Sequence, residues 1–386
     1  MAPELKGRGQ RLLARLARSV SREELRSHPD VREYLEFGDP EHLSLPAPTA
    51  VETSNPQWLR DNLALWKPSW PAPFVCVVHN ARILGSLYLG ITSRGEVILE
   101  TTRTAGSTDL LWPKITRHTL QNMLSLAMTS PRPLAADVVA PLFHVSQDSY
   151  FHWFCDVLPV IEAVRHLESA SGLRATFLVS GPLRPWQKDT LALLGVNGAD
   201  IICWNGSSAG VSKLVVASVR TDGWTCLPSI VSLGWIRTEM MRAAVPEGAT
   251  PRYIYLRRRG RRRITNENEV SAFMESRGIV PIDTEGMPIV NQIQLFKQAR
   301  LIVGSHGAGL TNLIFSDRAE VVELFGPWKS LCFAAIARGF GHGYAGVDLL
   351  PSVGFQHGDI GRASDFGADL RRVRPIVDQA IERARS

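Results

Sequence analysis

The side chains best suited to chemistry fall in a few short stretches. In Asp148-Ser149-Tyr150-Phe151-His152-Trp153-Phe154-Cys155-Asp156, His152 and Asp156 stand at i and i+4. On a helix that spacing puts both on one face. A carboxylate beside an imidazole can act as a general base, directly or by orienting the ring. A surface ion pair or a buried structural hydrogen bond would give the same spacing. Gly304-Ser305-His306-Gly307-Ala308-Gly309-Leu310-Thr311-Asn312 follows an apolar strand and opens a helix. Its glycines let the backbone turn sharply and approach a ligand. Exposed N–H groups and the positive helix end then favour an anion, and His306 could donate to a phosphate oxygen. The spacing is neither the dinucleotide fingerprint nor a Walker loop, and a plain strand-to-helix turn would look alike. Arg257, Arg258, Arg259, Arg261, Arg262 and Arg263 crowd the end of another strand. Guanidinium forks suit phosphate, yet six cannot face one ligand. Arg257 and Arg258, nearest the strand end, are the candidates. Glu323, closing the strand Val321-Val322, could accept from two ribose hydroxyls.

These groups need a scaffold. Two short helices are expected in the first 36 residues, with Leu12, Leu13, Leu16 and Val20 opposite Arg11, Arg15, Arg18 and Arg22. Irregular chain is expected over 39–73. A strand is expected at 74–78 and a hairpin at 86–91 and 96–101, closed around Ser93-Arg94-Gly95. Strand–helix alternation then begins: strands at 138–145, 176–179 and 214–219, helices at 150–167, 185–194 and 230–244. Pro246-Glu247-Gly248 marks a junction. The second half alternates more regularly, with strands at 253–257, 279–282, 301–304 and 321–325. Its helices are expected at 267–276, 288–299, 308–315 and 330–338. Such alternation predicts an α/β fold with doubly wound parallel sheets. The expected domains are a 1–73 extension, Rossmann-like domains at 74–245 and 246–350, and a 351–386 segment whose helix packs back on the first domain.

At 386 residues and 42.6 kDa the chain suits two domains, and 45 % hydrophobic with 21 % charged residues excludes disordered or fibrous classes. No apolar run approaches the roughly 18 residues of a membrane span, and the basic opening does not read as a leader peptide. Five scattered cysteines without a Cys-x-x-Cys pair indicate neither zinc nor disulfides, and point to a reducing cytoplasm. The six clustered arginines alone equal the net charge of +6, so anions matter. No aromatic interleaving supports single-stranded nucleic acid as the partner. There is no Asp-x-Asp to hold a divalent metal on a diphosphate, no His-Glu-x-x-His, and no Gly-x-Ser-x-Gly elbow.

In order along the chain, His152-Trp153-Phe154-Cys155-Asp156-Val157-Leu158-Pro159, Tyr255-Leu256-Arg257-Arg258 with Arg262-Arg263 and Asn266-Glu267, then Gln292, Phe296, Ala299, Gly304–Asn312 and Val321-Val322-Glu323-Leu324 resemble glycosyltransferase family 61. The resemblance runs from about Pro141 to Pro327. It implies a GT-B-like fold, two Rossmann-like domains with parallel sheets facing across a cleft, and an inverting sugar transfer. The donor would be a nucleotide sugar, a UDP-sugar foremost, with no metal. The acceptor would be a carbohydrate or lipid-linked glycan, as for a bacterial cytoplasmic enzyme building surface polysaccharide. The resemblance places Asp156 or His152 as base near the acceptor. Donor-binding positions would be Arg257, Arg258, Arg263, Asn266, His306, Gly307, Ala308, Gly309, Asn312 and Glu323. A lipid-linked acceptor would also suit peripheral contact of the first basic helix with anionic membrane. The competing expectation is a non-catalytic binder of a phosphorylated ligand or nucleic acid.

Overall fold

The computed structural model describes residues 19–43, 50–52, 67–84, 89–102, 130–144, 146–204, 208–222, 226–244, 248–349 and 364–386. The expected stripe of Leu12, Leu13 and Leu16 with Arg11, Arg15 and Arg18 lies outside these residues, as do Pro246 and Glu247. The chain divides into two compact units, Met1–Glu41 with Ser69–Trp224 and His42–Pro68 with Thr225–Ser386. Among the described residues no helix is long and apolar enough to cross a membrane.

The first unit is built on a ten-stranded mixed sheet. Its long strand β1 (Phe74–Leu84) doubles the length expected, continuing past Asn80 with a left-handed φ of 53°. Strands β2 (Val138–Pro141), β3 (Thr176–Ser180), β4 (Ile201–Trp204) and β5 (Ser208–Ala217) form the parallel part, in the order β5-β2-β3-β4. β5 then pairs antiparallel with β1, Val215 opposite Val77 and Val211 opposite Ala81. Here the doubly wound expectation fails. The expected hairpin is present: Leu89–Ile91 returns to Val97–Ile98 through a short turn closed by Gly95 N–H donating to Thr92 O at 2.9 Å. Gly95, at φ 86°, supplies the left-handed residue that turn needs. Cys76, Val78, Val139, Phe143, Leu178, Leu214 and Val216 pack one core of this unit.

Helix α1 (Pro159–Ser171) carries a buried stripe of Val160, Ile161, Ala163, Val164 and Leu167. Beside that stripe Arg220, itself buried, pairs with Glu41 at 3.1 Å. Burial pushes the Glu162 carboxyl up to about 7, with Arg220 opposing the shift. Folded Glu162 therefore keeps its proton from its ordinary 4.5 up to about 7, where the unfolded chain has released it. The sign is that of a raised acid: its contribution to stability is present at low pH and is lost as pH rises through that window. Thermal melts of the native chain should thus lose more stability between pH 5 and pH 8 than melts of Glu162→Gln. Identical pH dependence in the two would refute the assignment.

The second unit holds a six-stranded, wholly parallel sheet. Strands β6 (Tyr253–Leu256), β7 (Val280–Ile282), β8 (Leu301–Ser305), β9 (Glu320–Phe325) and β10 (Gly343–Asp348) lie in the order β7-β6-β8-β9-β10, with Ala50–Glu52 added beside β10. Runs such as Leu301-Ile302-Val303 are buried throughout, as strands covered on both faces must be. Helices α2 (Glu267–Glu275), α3 (Ile289–Gln298), α4 (Cys332–Gly339) and α5 (Leu370–Arg385) belong to this unit. The expected helix after the glycine motif is a 3-10 helix, Ala308–Phe315. The last helix does not return to the first domain as expected. Its Val373, Val377, Ala380 and Ile381 pack with Leu301, Val303, Val322 and Leu324 of this unit's own sheet. Arg383 Nε donates to Glu320 Oε2 at 2.7 Å along the edge of that contact.

Candidate active site

The first unit's chemistry starts from a proline. A continuous helix from 150 would need the 159 N–H to bond the carbonyl of Cys155, and Pro159 has none. The chain instead forms a short helix at Tyr150–His152, a π-helical turn at Trp153–Val157, and then α1. Leu158 N–H reaches back to Trp153 O at 2.9 Å. Thr221 Oγ1, from beyond β5, donates at 3.1 Å to the stranded Cys155 carbonyl. Trp153 Nε1 anchors the turn by donating to Thr190 Oγ1 at 2.8 Å. Such π-turns recur at functional sites.

This turn carries Asp156 inward and His152 outward. The Asp156 side chain is 3 % exposed and that of His152 26 %, and His152 Nδ1 lies 2.8 Å from Asp156 Oδ2. A third residue joins them. His144, just beyond β2, stacks on the His152 ring with centroids 4.5 Å apart and planes at 19°. Its Nε2 is 3.8 Å from the same Oδ2. The Ser146 backbone N–H donates to His144 Nδ1 at 3.0 Å, so that nitrogen offers its lone pair and the ring proton sits on Nε2, facing Asp156. Burial works to raise the Asp156 carboxyl. The hydrogen bond from His152, the nearby charge of His144 and the Thr221 hydroxyl outweigh it and hold the group below the usual carboxylate range. Asp156 is therefore an ionised acceptor whose Oδ2 faces both histidines, and His152 is left with Nε2 as the open atom of the dyad.

His144, His152 and Asp156 also bring ligand atoms within 4.8 Å of one another, close enough to consider a metal. A metal needs lone pairs where these rings present N–H. Binding would cost the Ser146–His144 hydrogen bond and both ring protons facing Asp156. The arrangement fits a hydrogen-bonded dyad better than a ligand set.

In the second unit Leu256, Gly304, Glu323 and Gly346 lie in register across the strands, so the loops beyond them meet at the carboxyl edge of the sheet. There the arginine run sorts itself. Arg257 and Arg261 are exposed. Arg259 pairs with Asp283. Arg263 grips Asp365, Nη2 to Oδ2 at 3.0 Å and Nε at 3.2 Å. Arg258 turns inward, Nη1 donating to His306 O at 3.1 Å and Nε to Arg261 O at 2.5 Å. Arg262 is half-buried.

His306 is fixed on every side but one. Its backbone N–H donates to Leu324 O at 2.9 Å, and its ring lies between Phe325 and Phe333, with centroids 5.6 and 5.1 Å away. Nδ1 meets Glu323 Oε1 at 2.5 Å, and the Tyr344 hydroxyl donates to Glu323 Oε2 at 2.5 Å. Glu323 is wholly buried with both oxygens taken. The expected ribose contact is thus replaced by a different task, holding His306. None of Gly304, Gly307 and Gly309 is left-handed. Gly307 leaves room for the Arg258 guanidinium, which a Cβ there, 1.9 Å from Nη1, would displace.

Two further expected donor-binding positions are engaged elsewhere. Asn266 Nδ2 donates to Ala368 O at 3.0 Å while its Oδ1 accepts from Ala368 N–H at 2.8 Å, tying down the start of α5. Asn312, fully buried, donates to Gln292 Oε1 at 2.7 Å, and Gln292 Nε2 donates to Met287 O at 2.8 Å. Arg258, His306 and Gly307 are brought together with Ala308 and Gly309, whose backbone is partly exposed. Arg257 and Arg263 are not part of that group. Sequence reasoning missed His144, Thr221 and Tyr344. Only His144, a histidine just past a strand's carboxyl end, carried a readable signal.

Residues 150–322 match the family model described as Glycosyltransferase 61, a little under half of the chain. The chain is similar to an EGF domain-specific O-linked N-acetylglucosamine transferase of Drosophila melanogaster, 28 % identical over 143 residues, covering 34 % of this chain and 28 % of the relative. It is also similar to a beta-1,2-xylosyltransferase, XAX1, of Oryza sativa subsp. japonica, 25 % identical over 252 residues, covering 59 % of this chain and 44 % of the relative. The chain thus spans less than half the length of these relatives. The matched segment holds His152, Asp156, the arginine run and His306, and stops one residue short of Glu323. The comparisons support a glycosyltransferase, with a glycosyltransferase 61 match over the segment that carries the His152–Asp156 dyad and His306.

Proposed function

We propose that the protein is an inverting, metal-independent glycosyltransferase of GT-B type, taking a nucleotide diphosphate sugar, UDP-linked foremost, to a hydroxyl of a carbohydrate acceptor. The observation that carries this reading is the His152–Asp156 dyad, an open imidazole Nε2 backed by a buried, ionised carboxylate. His152 Nε2 takes the proton of the acceptor hydroxyl as that oxygen bonds to the anomeric carbon. The bond from that carbon to the diphosphate oxygen breaks, and the diphosphate leaves with the electron pair. Asp156 steadies the imidazolium that results. With one base and no covalent nucleophile in the dyad, attack is in line and configuration inverts. The second unit takes the donor, where Arg258, the His306 ring and the open backbone at Ala308–Gly309 meet the charge developing on the diphosphate. A lipid-linked surface glycan as acceptor, a cytoplasmic site of action, and peripheral contact with anionic membrane through residues 1–20 complete the proposal.

The test is to incubate the pure chain with UDP-sugars and oligosaccharide acceptors in EDTA. The expected product is a glycoside of inverted anomeric configuration, read from its proton coupling, with nucleoside diphosphate released in equal amount. Activity that vanishes in EDTA and returns with manganese contradicts the metal claim. A retained configuration sinks the mechanism. Neither transfer nor diphosphate release from any donor leaves the binding-protein reading.

A further inference from the structure

A single hydrogen bond fixes a distance and not a plane. His152 Nδ1 is held 2.8 Å from Asp156 Oδ2, yet the ring can still turn about that line, because the terminal torsion of a histidine is broad. A base must keep its open nitrogen within about half an ångström and 10–20° of the productive direction. Another contact has to set the plane of the ring.

His144 supplies that contact. Its ring lies against that of His152, with centroids 4.5 Å apart and planes at 19°. It comes from a different element. Strand β2 leads into it, and Val139, Ala140, Leu142 and Phe143 are all buried. Leu142 N–H donates to Leu178 O of β3 at 2.8 Å, and Gln147 N–H closes a turn onto His144 O at 3.0 Å. The Gln147 side chain is tied in its turn, Nε2 donating to Ser180 O at 3.2 Å. The ring beneath His152 is thus anchored to the sheet and not to the π-helical turn. With side chains 7 % and 26 % exposed, His144 lies below and His152 is the ring that reaches solvent.

A phenylalanine could offer a flat surface, but this ring also has a fixed polarity. Ser146 N–H donates to its Nδ1 at 3.0 Å, which leaves the ring proton on Nε2. That N–H faces Asp156 Oδ2 at 3.8 Å, beyond a hydrogen bond but near enough for its dipole to favour the carboxylate. The other tautomer would aim a lone pair at a buried carboxylate and set two N–H groups against each other at Ser146.

We propose that His144 is a positioning residue for sugar transfer, holding the plane of the His152 ring and turning its own N–H to the carboxylate behind it. This role rests on the reading that His152 is the base.

The test measures turnover of the full chain with the UDP-sugar and oligosaccharide that the native protein couples, and affinity for UDP by calorimetry. His144→Ala should lower kcat by about tenfold or more, since small misplacements of reacting groups are costly, and should leave UDP affinity unchanged. His144→Phe restores a flat ring and should recover part of that loss. His144→Gln restores an N–H without a ring and should recover less. Melting temperatures show which variants are folded, and His144→Phe, close in volume to the native residue, keeps the comparison with His144→Gln should His144→Ala not fold. In ¹⁵N spectra of the native chain, the imidazole signals that vanish in His144→Phe should report a bare Nδ1 and a protonated Nε2. A protonated Nδ1 there, native kcat in folded His144→Ala, or His144→Phe no faster than His144→Gln overturns the positioning role. If His152→Ala is inactive in the same assay, the base assignment still stands. His152→Ala at the native rate overturns both, as does a native chain that couples no UDP-sugar.

Discussion

His152→Ala is expected to lower the turnover number by about 10²–10⁴-fold, the range for loss of a positioned base, with little change in donor affinity. The expectation rests on which atom is open. Asp156 is buried, and its Oδ2 faces His152 at 2.8 Å and His144 at 3.8 Å. A carboxylate so enclosed and held below its usual range is a poor proton acceptor at neutral pH. His152 keeps Nε2 free of those contacts. Asp156→Asn should also be severe, by a different route. An amide can present its NH₂ group to His152 Nδ1, which moves the ring proton to Nε2 and closes the base. His152→Ala retaining more than about a tenth of the rate, with Asp156→Asn inactive, would make Asp156 the base and reverse the assignment.

Much of this arrangement was legible beforehand because it is local. The i, i+4 pair was visible from spacing alone, and so was a histidine in a glycine turn after an apolar strand. The parallel strands of the second unit stood out because burial on both faces makes them unbroken apolar runs. What escaped was set by partners distant in sequence. Glu323 at a strand end looks available to a ribose until β10 lays Tyr344 against it. Asn266 and Arg263 look like ligands until residues 365–368 arrive to take their polar atoms. The arginine run could not be sorted from sequence, since Asp283 and Asp365 claim two of its members from other loops. The helix expected over 150–167 ran straight through Pro159, which instead interrupts it. Its consequence, a π-turn that aims Asp156 inward, depends on Thr221 receiving the freed carbonyl from 66 residues away. In the first unit the hairpin around Ser93-Arg94-Gly95 was legible from its turn residues, whereas the antiparallel pairing of β5 with β1, set by strands far apart in sequence, was not.

Glu323→Gln is expected to cut turnover by about 10²-fold, approaching the effect of His306→Ala, because His306 is useful only as Glu323 holds it. The imidazole is enclosed by Phe325, Phe333 and its own main-chain bonds, and the one adjustable link is Nδ1 to Glu323 Oε1 at 2.5 Å. A carboxylate there accepts from the ring and from the Tyr344 hydroxyl together. A glutamine offers one oxygen and one NH₂ group in the same volume, so it can satisfy Tyr344 or His306 as acceptor, but not both. It also removes the negative charge that would balance a ring donating through Nε2 to a departing phosphate. Tyr344→Phe deletes a single donor and should cost about tenfold, one hydrogen bond to a charged group. Neither position reaches the donor directly, so pyrophosphate affinity should fall far less than turnover in both variants. That split distinguishes positioning from a merely structural network. Glu323→Ala is the wrong probe, since it strands two buried polar groups over a cavity and would cost about 3–5 kcal/mol of stability. The idea fails if Glu323→Gln and Tyr344→Phe both melt lower than the native chain yet turn over at its rate. In that case the cluster would hold the sheet edge together, and His306 would act without it.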